Sequence, residues 1–231
     1  MIIGSTGYFG VHFNDAETLE HKYTYKSDDQ YYQQLFIKSL NMLIIGSQSG
    51  QMIAIDLSNI NNVDKNDESI AHKFYTVDAG TRAFDVSPYP EEKYVAVGTE
   101  KGTIHVFESR HVKERKPYKY AMIHPHGTWV RGIQFIPSGD DYLLGSFSEG
   151  GEIHVYCLKE RSNLYKYSNI PNGVLNMVFC NSINSLLIIS KQHEFFEISF
   201  NFNDSFCEEY TQQINTDLVK NIKQRFLRES D

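Results

Sequence analysis

Residues 92–110 read EKYVAVGTEKGTIHVFESR, and two alternating apolar stretches, YVAVGT and TIHVFES, flank a short turn at Lys101-Gly102. Alternation on both sides of a Gly-bearing turn predicts a β-hairpin. The same pattern, a hydrophobic strand ending in Gly-Ser or Gly-Thr followed by a polar turn and a second strand, returns along the chain. It appears as MIIGSTGYFGVHF (1–13), MLIIGSQSGQMIAIDL (42–57), YLLGSFSEGGEIHVYCL (142–158) and a worn LLIISKQHEFFEISF (186–200). The marker positions Gly4, Gly46, Gly98, Gly145 and Ile189 are spaced by 42, 52, 47 and 44 residues. The long interval holds the polar insertion SNINNVDKNDESIA at 58–71.

Two further segments accompany the hairpins. TRAFDVSPYPEEKY, WVRGIQFIPSGDDY and VLNMVFCNSINS each lead into a hairpin and stop at a turn signal. HKYTYKS, HKFYTVDAG, YKYAMIH and NLYKYSN follow hairpins and have the mixed polarity of exposed edge strands. Four strands repeated about every 45 residues predict an all-β fold built as a β-propeller. The units fall around 1–27, 31–80, 81–124, 128–168 and 173–205, and a C-terminal extension occupies 206–231.

The phased copies resemble the WD-repeat family. In that alignment the Trp-Asp pair falls on Ile55-Asp56, Phe107-Glu108 and Tyr156-Cys157, so large apolar residues keep the packing role. The resemblance implies an intra-blade hydroxyl at Ser5, Ser47, Thr99, Ser146 and Ser190. The regular Gly-His dipeptide and the turn Asp of that family are missing, which predicts blades held more by packing than by a buried polar network. Family propellers most often have seven blades, whereas this chain supplies about four and a half and starts at what would be a second strand. The propeller is therefore expected to be incomplete: a piece of a longer ring or one completed in trans, with self-closure as the remaining alternative.

The 231 residues carry a net charge of −7, which gives no general attraction to nucleic acid or anionic membrane. Apolar runs are four or five residues long, too short to span a bilayer as a helix. The N-terminus has no signal-peptide pattern, and Cys157, Cys180 and Cys207 show no metal spacing, so a nuclear or cytoplasmic protein with reduced thiols is expected.

No nucleophile elbow, phosphate cradle or Cys-His signature is present, so no enzyme, cofactor or small-molecule substrate is expected. His124-Pro125-His126-Gly127 pairs two histidines, but without a third ligand at a recognisable spacing it reads as a connecting turn rather than a metal site. His105 and His154 occupy equivalent positions in their repeats, which points to architecture. Carboxylate pairs such as Asp140-Asp141 sit in polar turns.

Binding has better candidates. Arg82 and Arg131 each precede an equivalent proline by six residues, and Trp129 is adjacent; Arg and Trp at the entrance of innermost strands have the composition of a protein-binding hot spot. In INTDLVKNIKQRFLRESD, Ile214, Leu218, Ile222 and Phe226 recur at steps of four, predicting an amphipathic helix over 216–229 that packs on the propeller or docks a partner. The run RHVKERKPYKY places Arg110, Lys113, Arg115, Lys116 and Lys119 among aromatics, a solvated loop or a contact for nucleic acid or an acidic partner. Membrane binding is not expected, since the paired-arginine motif of phosphoinositide-binding propellers is absent. Together these features predict a non-catalytic interaction scaffold in a multiprotein complex, with a nucleic-acid-associated subunit of a nuclear complex as the alternative.

Overall fold

The computed structural model describes residues 2–7, 10–62, 68–114, 118–138, 141–168, 170 and 173–199, with residues 2–7 as backbone only. The expected C-terminal helix, with Leu218, Ile222 and Phe226, lies outside the described residues, as do Arg115 and Lys116.

Five antiparallel sheets follow one another along the chain. The first contains β1 (Ile2–Gly7), β2 (Gly10–Asp15) and β3 (His21–Lys26). The second contains β4 (Tyr31–Ile37), β5 (Met42–Ser47), β6 (Gln51–Asp56) and β7 (Ala71–Thr76). The third contains β8 (Thr81–Val86), β9 (Tyr94–Thr99), β10 (Ile104–Glu108) and β11 (Lys119–Ile123). The fourth contains β12 (Val130–Ser138), β13 (Asp141–Ser148), β14 (Ile153–Cys157) and β15 (Ser162–Tyr167). The fifth contains β16 (Val174–Cys180), β17 (Ser185–Ser190) and β18 (Phe195–Ser199).

The sheets stack face to face, and alternate residues of one strand serve two different interfaces. Met42 and Ile44 of β5 pack toward the third sheet with Val95, Val97 and Phe107, whereas Leu43 and Ile45 pack toward the first with Val11 and Phe13. β9 divides likewise, with Val95 and Val97 on one side and Tyr94 and Ala96 on the other beside Phe135 and Leu144. Every residue of β5 and β9 is buried, which is why these strands read as continuous apolar runs. A one-residue slip would exchange the two interfaces, so the pattern fixes the register.

The innermost strands β4, β8, β12 and β16 lie side by side, and a polar latch recurs between β8 and β12 and between β12 and β16. The backbone N–H of Phe135 donates to Asp85 at 2.6 Å, and that of Phe179 to Gln134 at 2.9 Å. Burial pushes the Asp85 carboxyl up to about 6, against two backbone hydrogen bonds that favour its ionised form.

The hairpin turns show what the repeated Gly and Ser do. Gly50, Gly102 and Gly151 have φ of +83°, +79° and +80°, each donating its N–H three residues back. A Cβ on Gly102 would meet the His126 carbonyl oxygen at 2.1 Å, so glycine is required there. In the worn hairpin that place falls to His193, with φ +62°. Ser47, Ser148 and Ser190 accept backbone N–H groups four residues on, at 2.9, 3.3 and 3.1 Å.

This corrects the expected register of the fourth hairpin. The counterpart of Thr99 is Ser148, not Ser146, because Val130 pairs with Ser148 as Thr81 pairs with Thr99. β13 is longer than β9, and the Gly-Ser dipeptide lies two residues inside it. The marker glycine's place is taken by Phe147, and Gly132 opposite it supplies the space: a Cβ there would meet the Phe147 ring at 2.0 Å. Thr99 departs in another way, since its buried hydroxyl has no hydrogen-bond partner.

The third blade carries a partly buried polar set: buried Thr103 and His105 reach the two oxygens of Asp78 at 3.1 and 2.9 Å, Thr103 also meets His124 Nδ1 at 2.9 Å, and Asp78 and His124 are exposed to solvent. One more expectation needs revision. The insertion at 58–71 is not merely polar loop, because Ile60 and Ile70 beside its two 3-10 turns are buried in the core of the second sheet.

Candidate protein-binding rim

A bulge recurs at the start of each innermost strand. The pairing shifts between Tyr31 and Gln33, Thr81 and Ala83, Val130 and Gly132, and Val174 and Asn176. The skipped residues are Tyr32, Arg82, Arg131 and Leu175. A bulge of this kind releases one residue from the ladder and re-aims its side chain. The backbone is pinned beside each bulge, because the N–H groups of Gln48, Glu100, Glu149 and Lys191 donate to the carbonyls of Gln30, Gly80, Trp129 and Gly173 at 2.8–3.0 Å. Each blade therefore presents a bulge residue beside a turn residue: Tyr32 with Gln48, Arg82 with Glu100, Arg131 with Glu149, and Leu175 with Lys191.

The structure brings Arg82, Trp129 and Arg131 together. The Arg82 guanidinium lies 4.3 Å from the Tyr32 ring centroid and 4.4 Å from that of Trp129, sandwiched between them. Arg131 lies 4.9 Å from the Trp129 ring on the next blade. Arg82 donates through Nε to Glu100 at 2.8 Å and also through its terminal nitrogen; Arg131 is paired with Glu149. Lys191 Nζ stands 3.8 Å from Glu149 and carries the charged row to the fifth blade. Trp129 is 37% exposed and Leu175 54% exposed. The arginines are thus both paired with local carboxylates and stacked on aromatics, which fixes them at little further entropic cost to a partner.

The residue reading missed Tyr32, Glu100, Glu149 and Leu175. Their equivalence lies in the pairing: Tyr32 and Leu175, like Arg82 and Arg131, sit one residue past the strand residue opposite the turn hydroxyl.

The basic run folds differently from a simple loop. Residues Arg110–Lys113 form a helical turn, α1, anchored by buried Val112. Arg110 pairs with Glu108 at 2.7 Å, and His111 lies between Glu108 and Glu114 at 3.6 and 2.8 Å. Lys113 borders a surface pocket with Asp56 and His72, and Lys119 Nζ approaches the Met122 sulfur at 3.6 Å. The acidic neighbours offset much of the positive charge of this turn.

Comparison with known proteins supports the architecture. A chain of the crystal structure of a mitotic checkpoint complex superposes with a TM-score of 0.67 at 12% sequence identity. The match covers 92% of this chain and 65% of that one, so the chain spans just under two thirds of the length of its structural neighbour. No family model matches the sequence, and no curated protein matches it. The fold is an all-β arrangement of propeller type; among the described residues, no helix is long and apolar enough to cross a membrane.

Proposed function

We propose that the chain is a non-catalytic WD-repeat-like propeller module, an interaction scaffold in a multiprotein complex of the nucleus or cytoplasm. The observation that carries this reading is the repeated bulge, which aims Tyr32, Arg82 and Arg131 with Trp129 onto one rim. Partly exposed Arg and Trp held in place by their neighbours are the residues that dominate protein-binding energetics. The structural neighbour comes from a multiprotein complex, which agrees with a life among protein partners. The first and fifth sheets have three described strands each, against four in the others. Unpaired strand edges accept strands from a partner, and in this reading a partner subunit completes the propeller in trans.

Affinity capture of the tagged chain against Arg82→Glu/Arg131→Glu tests the proposal. The double variant should keep the wild-type melting behaviour to within a few degrees and lose most of the specifically captured protein. Capture of the same partners in the same amounts by a folded variant would contradict a role for the rim.

A further inference from the structure

His126 stands where neighbouring blades carry an apolar residue. The loop between two blades tucks a side chain beneath each turn glycine: a Cβ on Gly50 would meet the Val77 carbonyl, one on Gly102 that of His126, and one on Gly151 that of Ile170. Val77 and Ile170 are buried there, and so is His126, at 6% exposure. Its ring packs edge-on against that of His154, which is 3% exposed, with centroids 4.7 Å apart and planes at 83°.

The hydrogen bonds of the two rings are one-sided. His126 Nε2 meets Ser146 Oγ at 2.9 Å, and His154 Nδ1 meets the Asn163 side-chain amide at 3.2 Å. With the Asn163 oxygen turned to that nitrogen, its NH2 donates to the carbonyls of Val155 and Tyr165 at 3.1 and 3.3 Å, which satisfies the whole amide. The opposite nitrogens, His126 Nδ1 and His154 Nε2, are buried and have no hydrogen-bond partner. A buried unsatisfied nitrogen costs about 1–3 kcal/mol, so two of them in ring contact form a poor end state for a pair placed only for packing. Glu152 stands beside them, with Oε2 3.8 Å from His126 Nδ1, while Oε1 faces Lys166 at 3.4 Å. One ligand atom from each of the three side chains lies within 4.8 Å of the others.

We propose that His126, Glu152 and His154 form a zinc site that clamps the loop between the third and fourth blades to the fourth hairpin. A ring nitrogen held by a second group while the other is presented as a lone pair is the usual arrangement of a metal-bound histidine. Two imidazoles and one carboxylate suit Zn²⁺ and disfavour Mg²⁺ and Ca²⁺, which take oxygen ligands. Tetrahedral zinc with bonds of about 2.0–2.2 Å needs ligand atoms ~3.3 Å apart, so closing the cluster asks for a turn of the Glu152 side chain and small ring shifts. Glu152 is only partly buried, so the cluster reaches solvent on its side. Both rings are buried, which disfavours their charged form and keeps each available as a neutral donor. The third blade uses His105 at the place equivalent to His154; Asp78 engages its Nε2 at 2.9 Å and its Nδ1 is likewise buried without a partner, but among the described residues no group of three ligand atoms gathers there.

Zinc titration of the chelator-stripped full chain tests the site. One equivalent should bind, raise Tm, and be removed by EDTA; Co²⁺ in its place should show tetrahedral d–d bands without a thiolate charge-transfer band. His126→Val, the residue its counterpart Val77 carries, should fold and lose both the binding and the Tm rise. Glu152→Gln, a change at a partly exposed position, should weaken binding at least tenfold and reads the site even if the core variant does not fold. His12 and His21, on the first sheet, form a second histidine pair with ring centroids 6.1 Å apart, and His12→Gln should bind zinc as the wild type does. Absence of stoichiometric binding in the wild type, equal binding by the folded variants, or loss of binding in His12→Gln overturns the proposal.

Discussion

At the scale of single residues, the side chains that depart from the repeat are the ones with measurable consequences. Asp85 is held in a buried latch with its carboxyl raised to about 6. A carboxylate with a raised folded pKa stabilises least where it is ionised, so this contribution is full below about pH 4, the unfolded value, and falls away as pH rises to about 6. Asp85→Asn keeps an acceptor for the Phe135 N–H and removes the titration. The Tm of the variant relative to wild type should therefore climb between pH 4 and pH 7, and a constant difference across that range would show that Asp85 does not titrate there. Thr99 offers a second case, a buried hydroxyl without a partner. Thr99→Val should leave stability unchanged or raise it by about 1 kcal/mol in denaturant melts, where Ser148→Ala, which frees an N–H in the turn, should lower it. Phe107 is 1% exposed and touches Phe74 and Tyr75, so Phe107→Ala should cost about 3–5 kcal/mol.

The hairpin is the element in which the sequence was most legible, and the reason is mechanical. Strands buried on both faces must be apolar throughout, and a turn glycine with φ near +80° cannot be substituted without strain, so both leave marks that repeat. The Gly-Ser dipeptide of the fourth hairpin lies two residues off because volume is arranged differently there: Gly132 and Phe147 form a small–large pair where the third blade has two small residues, Ala83 and Gly98. A repeated dipeptide marks residue type, whereas pairing follows volume. Gly132→Ala should destabilise by about 1–3 kcal/mol, and a companion Phe147→Leu should recover part of that loss in a double-mutant cycle. Full additivity of the two changes would mean that the two positions do not share one space. The rim was half legible for a related reason. Arg82, Trp129 and Arg131 announce themselves by residue type, but Tyr32 and Leu175 are recognisable only by their place in a bulge, and Glu100 and Glu149 only by the turn that sets them opposite the arginines.

At the scale of the whole molecule, each sheet completes the core of its neighbours, so no blade is stable by itself and the order of blades is fixed by paired faces. That rigidity lets four successive bulges present their side chains as a row rather than as independent loops. The measurement that bears most directly on the scaffold reading is amide hydrogen exchange on the chain alone and with its captured partner. Binding should slow exchange in peptides covering 30–33, 80–83, 99–101, 128–132 and 148–150, with little change along β11 and β15. Protection confined to those outer strands or to Arg110–Lys113, with the rim peptides unchanged, would contradict it.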